Sequence, residues 1–106
     1  MPKIEFFYWE ECPSHERALA ILRGVMDEEK IQAPIEIIEV KTEEEAQQYT
    51  FYGSPTIRVN GVDIAPPPEE FAHPCLTCRA YLRTDGRISP LPPRELIVAA
   101  FHRATV

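Results

Sequence analysis

Three cysteines are the residues of this sequence best suited to chemistry. Cys12 stands alone in the N-terminal part of the chain, whereas Cys75 and Cys78 form a Cys-x-x-Cys pair. A cysteine thiolate is both a nucleophile and a ligand for soft metals, and the Cys-x-x-Cys spacing occurs in redox sites and in metal sites. An odd number of cysteines argues against a fully paired secreted scaffold, so we expect a reducing, cytoplasmic environment. The cysteines therefore predict thiol redox chemistry or metal binding.

Cys12 lies between a predicted buried strand, residues 3–9, and a predicted helix, residues 13–28. Pro13 suits the first turn of a helix, because the N–H that proline lacks has no partner there. We expect the Cys12 sulfur to occupy the helix N-cap, where unpaired N–H groups and the positive end of the helix dipole favour the thiolate. The sequence thus predicts a reactive nucleophile at Cys12, with a pKa below that of a free thiol.

His15 follows Cys12 by three residues, near enough to pair with a thiolate or to share a metal. An exposed histidine at the start of a helix is the alternative that the sequence leaves open. Cys12, His15, Cys75 and Cys78 together would make a Cys₃His set, which suits tetrahedral zinc or a softer metal such as mercury. This metal set is the alternative to a redox role for the same sulfurs.

The hydrophobic pattern orders the elements that follow the first strand and helix. Strands are predicted over residues 35–40, 56–59 and 62–64, and a helix over residues 43–49. Thr42 and Glu45 form a capping-box pattern at the start of that helix. Asn60-Gly61, between the last two strands, is a strong hairpin signal. Because alternating strands and helices favour parallel pairing and the hairpin adds an antiparallel edge, we expect an α/β fold with a four-strand mixed sheet.

The C-terminal part of the chain breaks this pattern with a proline-rich stretch, residues 65–74. A small hairpin is predicted around Thr84-Asp85-Gly86, and we expect its arginines, Arg79, Arg83 and Arg87, to be surface charges. A final helix is predicted after Pro92-Pro93. The length of 106 residues fits a single domain, in which residues 65–91 form an insertion that carries the Cys-x-x-Cys pair.

This order of elements resembles the thioredoxin superfamily, in particular its small bacterial thioredoxin-like members. The residues that carry the resemblance are Cys12-Pro13 at the start of the first helix and Gly53-Ser54-Pro55-Thr56 before the third strand. The resemblance covers residues 3–65 and the final helix. It implies a thioredoxin-like fold, a cis Ser54–Pro55 peptide bond beside Cys12, and a groove in which Ser54, Pro55 and Trp9 bind a disulfide substrate.

The dithiol motif of that family, Cys-x-x-Cys, is replaced in this chain by Cys12-Pro13-Ser14-His15. His15 therefore stands where the resemblance implies the resolving cysteine. A second sulfur for disulfide exchange must then come from elsewhere in the chain or from another molecule, and Cys75 and Cys78 are the internal candidates. We expect at least one of them to lie on the same face as Cys12, or the two to bridge each other on mild oxidation.

The leading hypothesis is thiol–disulfide exchange or thiol-based redox sensing, with protein or small-molecule thiols and disulfides as partners and no cofactor. A net charge of −6 argues against nucleic acid as a partner, because phosphate binding needs clustered basic residues. The longest apolar run, residues 97–101, is far shorter than the roughly 20 residues of a membrane helix, so no membrane association is expected. Besides metal binding, the remaining alternative is an interaction module without chemistry.

Overall fold

The sheet is organised around β1, Ile4–Tyr8, which lies between two other strands. In the computed structural model, which describes residues 2–67, 73–83 and 85–104, β1 pairs in parallel with β2 (Ile35–Glu39) and antiparallel with β3 (Thr56–Val59). The Asn60-Gly61 turn leads into β4 (Val62–Asp63), which pairs antiparallel with β3. The strand order is β2-β1-β3-β4, so the predicted four-strand mixed sheet is confirmed.

Helices cover both faces of this sheet, because successive side chains of β1 point to opposite sides. Ile4 and Phe6 belong to a core cluster with buried residues of α1 (His15–Glu28) and α3 (Arg94–Ala104). Phe7 belongs to a second cluster on the other side, with Val40, Phe51 and the buried Ala46 of α2 (Glu43–Tyr49). None of the helices among the described residues is long and apolar enough to cross a membrane.

Helix α2 has a capped N-terminus, and its C-terminus leads into the loop before β3. Thr42 is the N-cap and accepts a hydrogen bond from the Glu45 N–H at 3.1 Å, while the Glu45 carboxylate accepts one from the Lys41 N–H at 2.8 Å. The Thr42 half of the predicted capping box is confirmed, whereas the Glu45 carboxylate bonds the N–H of the residue before the cap instead of that of Thr42. The helix ends at Thr50, whose left-handed conformation turns the backbone towards Phe51 and the Gly53-Ser54-Pro55 loop.

The C-terminal region forms a second, two-stranded sheet. Its strands, β5 (Tyr81–Leu82) and β6 (Ile88–Ser89), pair antiparallel, as expected for the predicted small hairpin. Residues 68–72 of the predicted proline-rich stretch, and residue 84 of the hairpin turn, lie outside the described residues. Residues 73–80 connect this stretch to β5 and include both cysteines of the Cys-x-x-Cys pair.

Candidate thiol site

Cys12 lies in a turn between β1 and α1 and does not occupy the helix N-cap. The Cys12 N–H donates to the Trp9 carbonyl at 3.0 Å, and α1 begins at His15 with Ser14 as its N-cap. The predicted helix start at Pro13 was therefore two residues early. Ser14 takes the N-cap position without a side-chain capping hydrogen bond, since its hydroxyl contacts the Cys12 sulfur instead. Cys12 is nevertheless buried, with a 1% exposed side chain.

Three parts of the chain meet at the Cys12 sulfur: the start of α1, the loop before β3 and the Cys-x-x-Cys pair. Its Sγ lies 3.2 Å from the Ser14 Oγ and 3.4 Å from the Ser54 carbonyl oxygen, to which the neutral thiol donates. The backbone of Cys78 is bridged to Ser54, whose carbonyl the Cys12 sulfur contacts, and the Cys78 thiol is close enough to this sulfur to shift its pKa. Of the two candidate second thiols, the structure therefore brings Cys78 to Cys12, on the face where one of them was expected.

The pKa of the Cys12 thiol is lowered from the usual value of a cysteine. Burial acts in the opposite direction and raises this pKa, but hydrogen bonds from Ser14, Cys78 and Ser54 stabilise the thiolate and outweigh burial. The Ser14 backbone N–H is one of these donors, together with its hydroxyl. The lowered pKa of Cys12 agrees with the sequence prediction. Its cause is different, because individual hydrogen-bond donors lower the pKa and the sulfur does not occupy the helix N-cap.

Cys78 shows the complementary behaviour. Its pKa is raised, mainly because its thiol donates a hydrogen bond to the Cys12 sulfur, and further because of burial and the negative charge of the Cys12 thiolate. The interaction of the two thiols therefore shifts their pKa values in opposite directions, so Cys12 is the more acidic of the pair. Cys75 is half-buried, and it is not among the groups that shift the pKa of Cys12 or of Cys78 in the described part of the chain.

The backbone around Cys78 pairs with Ser54. The Ser54 N–H donates to the Thr77 carbonyl at 2.8 Å, and the Arg79 N–H donates to the Ser54 carbonyl at 2.8 Å, which makes a one-residue parallel bridge between Ser54 and Cys78. The Ser54–Pro55 peptide bond is cis, as predicted. Ser54, which was expected to bind substrate, therefore uses both of its backbone hydrogen-bonding groups within the chain. We call residues 75–79, which make these contacts, the docked segment.

Arg79 anchors the C-terminal end of the docked segment. Its guanidinium is buried, forms a 2.8 Å ion pair with Asp63 of β4, and donates to the Thr56 hydroxyl at 3.3 Å and to the Ala65 carbonyl. It also lies 4.8 Å from the centre of the Tyr81 ring. The expectation of a surface charge was thus wrong for Arg79, since a carboxylate from another element compensates the charge inside the fold. The expectation of a surface charge is confirmed for Arg83, whose half-exposed side chain pairs with Asp85 at 3.0 Å.

The N-terminal end of the docked segment is held by α2. The Gln47 side-chain amide donates to the Pro74 carbonyl at 2.7 Å, and the Leu76 N–H lies 3.2 Å from both carboxylate oxygens of Glu43. Leu76 packs against the second core cluster, and the Cys75 N–H donates to the Phe51 carbonyl at 3.0 Å. The segment is therefore fixed at both ends, with Cys78 held over Cys12.

His15 and Trp9 have other contacts than those expected of them. The His15 ring stacks on Tyr8, with 4.7 Å between the ring centres, and its Nε2 lies 3.8 Å from a Glu10 carboxylate oxygen. Among the described residues, His15 makes no pair with Cys12. The same residues contain no group of three or more His, Cys, Asp or Glu side chains that could hold a metal ion, so the expected Cys₃His set is not assembled. Trp9 acts through its backbone, whose N–H donates to the Ser54 hydroxyl at 3.0 Å.

Sequence reasoning did not identify two residues that shape this site. Ser14 stabilises the thiolate directly, and as a serine in the first turn of the predicted helix it was an available N-cap residue. Asp63 compensates the buried Arg79 charge, and the only signal for it was an isolated acid in a short predicted strand, the single acidic residue between Glu45 and Glu69.

Replacement of Ser14 with alanine is expected to raise the pKa of Cys12, because the thiolate then loses its hydroxyl donor; hydrogen bonds to charged groups contribute about 1.5–3 kcal/mol. The side chain of Ser14 makes no capping hydrogen bond with α1, so the change removes none. The ultraviolet absorbance of the thiolate, measured against pH, gives the pKa of Cys12. The measurement uses the Cys75→Ser/Cys78→Ser variant, in which Cys12 is the single cysteine. Ser14→Thr, which keeps a hydroxyl, is the control, and an unchanged midpoint in Ser14→Ala would contradict this role.

Comparison of the chain with protein-family models, with curated proteins and with solved structures gives no match.

Proposed function

We propose that this chain is a thioredoxin-like thiol–disulfide redox protein in which Cys12 and Cys78 form the redox pair. The observation that carries the proposal is the placement of Cys78 beside Cys12: Cys78 is bridged to Ser54, whose carbonyl oxygen lies 3.4 Å from the Cys12 sulfur, and the interaction of the two thiols lowers the pKa of Cys12 and raises that of Cys78. The mixed sheet, the position of Cys12 just before α1 and the cis Ser54–Pro55 bond near its sulfur support the resemblance on which the thioredoxin-like part of the proposal rests.

The chemistry requires one thiolate and a second sulfur within reach. Cys12 provides the thiolate, and Cys78 provides the second sulfur. In the thioredoxin superfamily this second sulfur would come from a cysteine at the position of His15. When the Cys12–Cys78 bond forms, the pair loses two electrons and two protons, and an external disulfide RSSR that accepts them becomes two thiols RSH. In the reverse direction, two external thiols reduce the bond and leave as one disulfide.

Oxidation of the purified protein with an excess of oxidised glutathione tests the pair. After free thiols are alkylated, peptide mass spectrometry is expected to find Cys12 linked to Cys78 and Cys75 alkylated, because Cys78 is the thiol held at the Cys12 sulfur.

Two matched variants separate the alternatives. Cys75→Ser is expected to form the same linkage as the unmodified chain, and Cys78→Ser is expected to lose it and to accumulate glutathione on a remaining thiol. A Cys75–Cys78 linkage, or three free thiols after oxidation, would contradict the proposed pair. Protection of all three thiols by added zinc alone would favour the metal-binding alternative.

A further inference from the structure

The two sulfurs of the redox pair differ sharply in accessibility. Cys12 is 1% exposed, enclosed by the start of α1, the Ser54 loop and the docked segment, whereas Cys78 is exposed. An external sulfur that meets the oxidised pair therefore reaches Cys78 more easily than Cys12. Access is one of the factors that decide which sulfur of a disulfide is attacked.

A surface cleft lies beside Cys78. It has a volume of about 480 Å³, and the described residues around it include Tyr52, Pro66, His73 and Leu82 as well as Cys78. Clefts of roughly 300–1,000 Å³ are typical binding sites of small molecules. Cys78 thus lies where a bound small molecule can contact it.

The Ser54 backbone is not available to a polypeptide substrate. An extended peptide substrate binds by adding its hydrogen bonds to free N–H and C=O groups. The Ser54 N–H and C=O are already paired with Thr77 and Arg79, and the docked segment is fixed at both ends by Glu43, Gln47 and Asp63. These contacts remove Ser54 as a docking edge, and the cleft beside Cys78 has the size of a small-molecule site, so we expect a small molecule as the external partner.

We propose that a low-molecular-weight thiol binds in this cleft and reduces the oxidised protein by attacking the Sγ of Cys78. The inference rests on the proposed Cys12–Cys78 pair. In the first step a thiolate RS⁻ forms a bond to the Cys78 sulfur, the Cys12–Cys78 bond breaks, and Cys12 leaves as the thiolate. In the second step another thiolate RS⁻ attacks the R sulfur of the Cys78–S–S–R mixed disulfide. Cys78 is released as a thiolate that takes up a proton, and RSSR leaves.

The environment of Cys12 suits the role of leaving group. A thiol leaves faster when its pKa is lower, and the donors around Cys12 lower its pKa, whereas the pKa of Cys78 is raised. Accessibility and leaving-group ability therefore act in the same direction. Both place the mixed disulfide on Cys78, with Cys12 free.

Trapping the mixed disulfide tests this assignment. The Cys75→Ser protein is oxidised, its Cys12–Cys78 linkage is verified, and it is then mixed with reduced glutathione and quenched with a fast alkylating reagent at short times. The expected species carries glutathione on Cys78 and the alkyl group on Cys12. Glutathione on Cys12 would overturn the inference and leave the redox pair intact, whereas absence of the starting linkage would mean that the proposed function itself is wrong.

Binding in the cleft is tested by the dependence of the reduction rate on glutathione concentration. The rate is expected to saturate, and Ala80→Trp, which fills the cleft from an exposed position beside Cys78, is expected to make the dependence linear while the linkage still forms. A linear dependence in the unmodified cleft would overturn the binding site. Faster reduction by a reduced protein dithiol than by glutathione at equal concentration would overturn the preference for a small thiol.

Discussion

Asp63→Ala is expected to lower the free energy of unfolding by about 3–5 kcal/mol, the usual cost of breaking a buried ion pair from one side. The Asp63 and Arg79 side chains are 9% and 7% exposed, so the guanidinium would remain buried without its carboxylate. Because Arg79 ends the docked segment, we also expect the yield of the Cys12–Cys78 linkage to fall. Urea unfolding measures the first effect, and peptide mass spectrometry of the oxidised protein measures the second.

A surface pair in the same region provides the control. Arg83 and Asp85 form an ion pair of 3.0 Å, but their side chains are 52% and 44% exposed, so Asp85→Ala should change stability by about 0–1 kcal/mol. A double variant, Asp63→Leu/Arg79→Met, should recover much of the stability lost in Asp63→Ala, since neither charge then remains buried alone. If Asp63→Ala and Asp85→Ala cost the same, the buried pair does not anchor the docked segment.

Gly53→Ala is the second change with a large expected effect. Gly53 has a φ of +122°, a conformation that L side chains rarely adopt, and an added Cβ would lie 3.0 Å from the Arg79 Cβ and 3.1 Å from its Cα. The docked segment must shift to make room, so we expect a loss of more than about 1 kcal/mol of stability together with slower Cys12–Cys78 formation.

Gly61→Ala separates the two causes of that loss. Gly61 also has a positive φ, +81°, but an added Cβ would meet nothing within 4 Å. It should therefore cost backbone strain alone and leave the rate of disulfide formation unchanged. Chemical unfolding and the time course of oxidation, measured on both variants, give the comparison. Equal effects on oxidation would show that the close approach of Gly53 to Arg79 does not position Cys78.

The parts of the fold that follow from local sequence were predictable. β3 and α2 have the predicted bounds, because the Asn60-Gly61 turn and the Thr42 cap mark their limits within a few residues. The resemblance also gave the cis bond at Ser54–Pro55. The start of α1 was misplaced because Pro13 and Ser14 are both helix-start residues, and only the packed structure decides between them.

The choice between Cys75 and Cys78 could not be made from the sequence. It depends on where the docked segment lies, which is set by backbone pairing with Ser54 and by the Arg79–Asp63 ion pair, both between residues far apart in the chain. The sequence around Ser54 or Asp63 contains no local pattern that indicates its contact with the docked segment. Arg79 was expected at the surface for the same reason, since its sequence neighbourhood is that of an exposed hairpin.

The hydrogen bond from Cys78 to Cys12 has a thermodynamic consequence for the docked segment itself. The Cys78 thiol, which docking brings to Cys12, is one of the groups that lower the pKa of Cys12. Linkage between two equilibria is reciprocal, so the free energy by which docking favours the thiolate is the free energy by which the thiolate favours docking. The stabilisation that the Cys78 thiol gives to the Cys12 thiolate is therefore also a contribution to the attachment of residues 75–79, and protonation of Cys12 removes that contribution. The acidity of one buried thiol and the position of this segment are coupled.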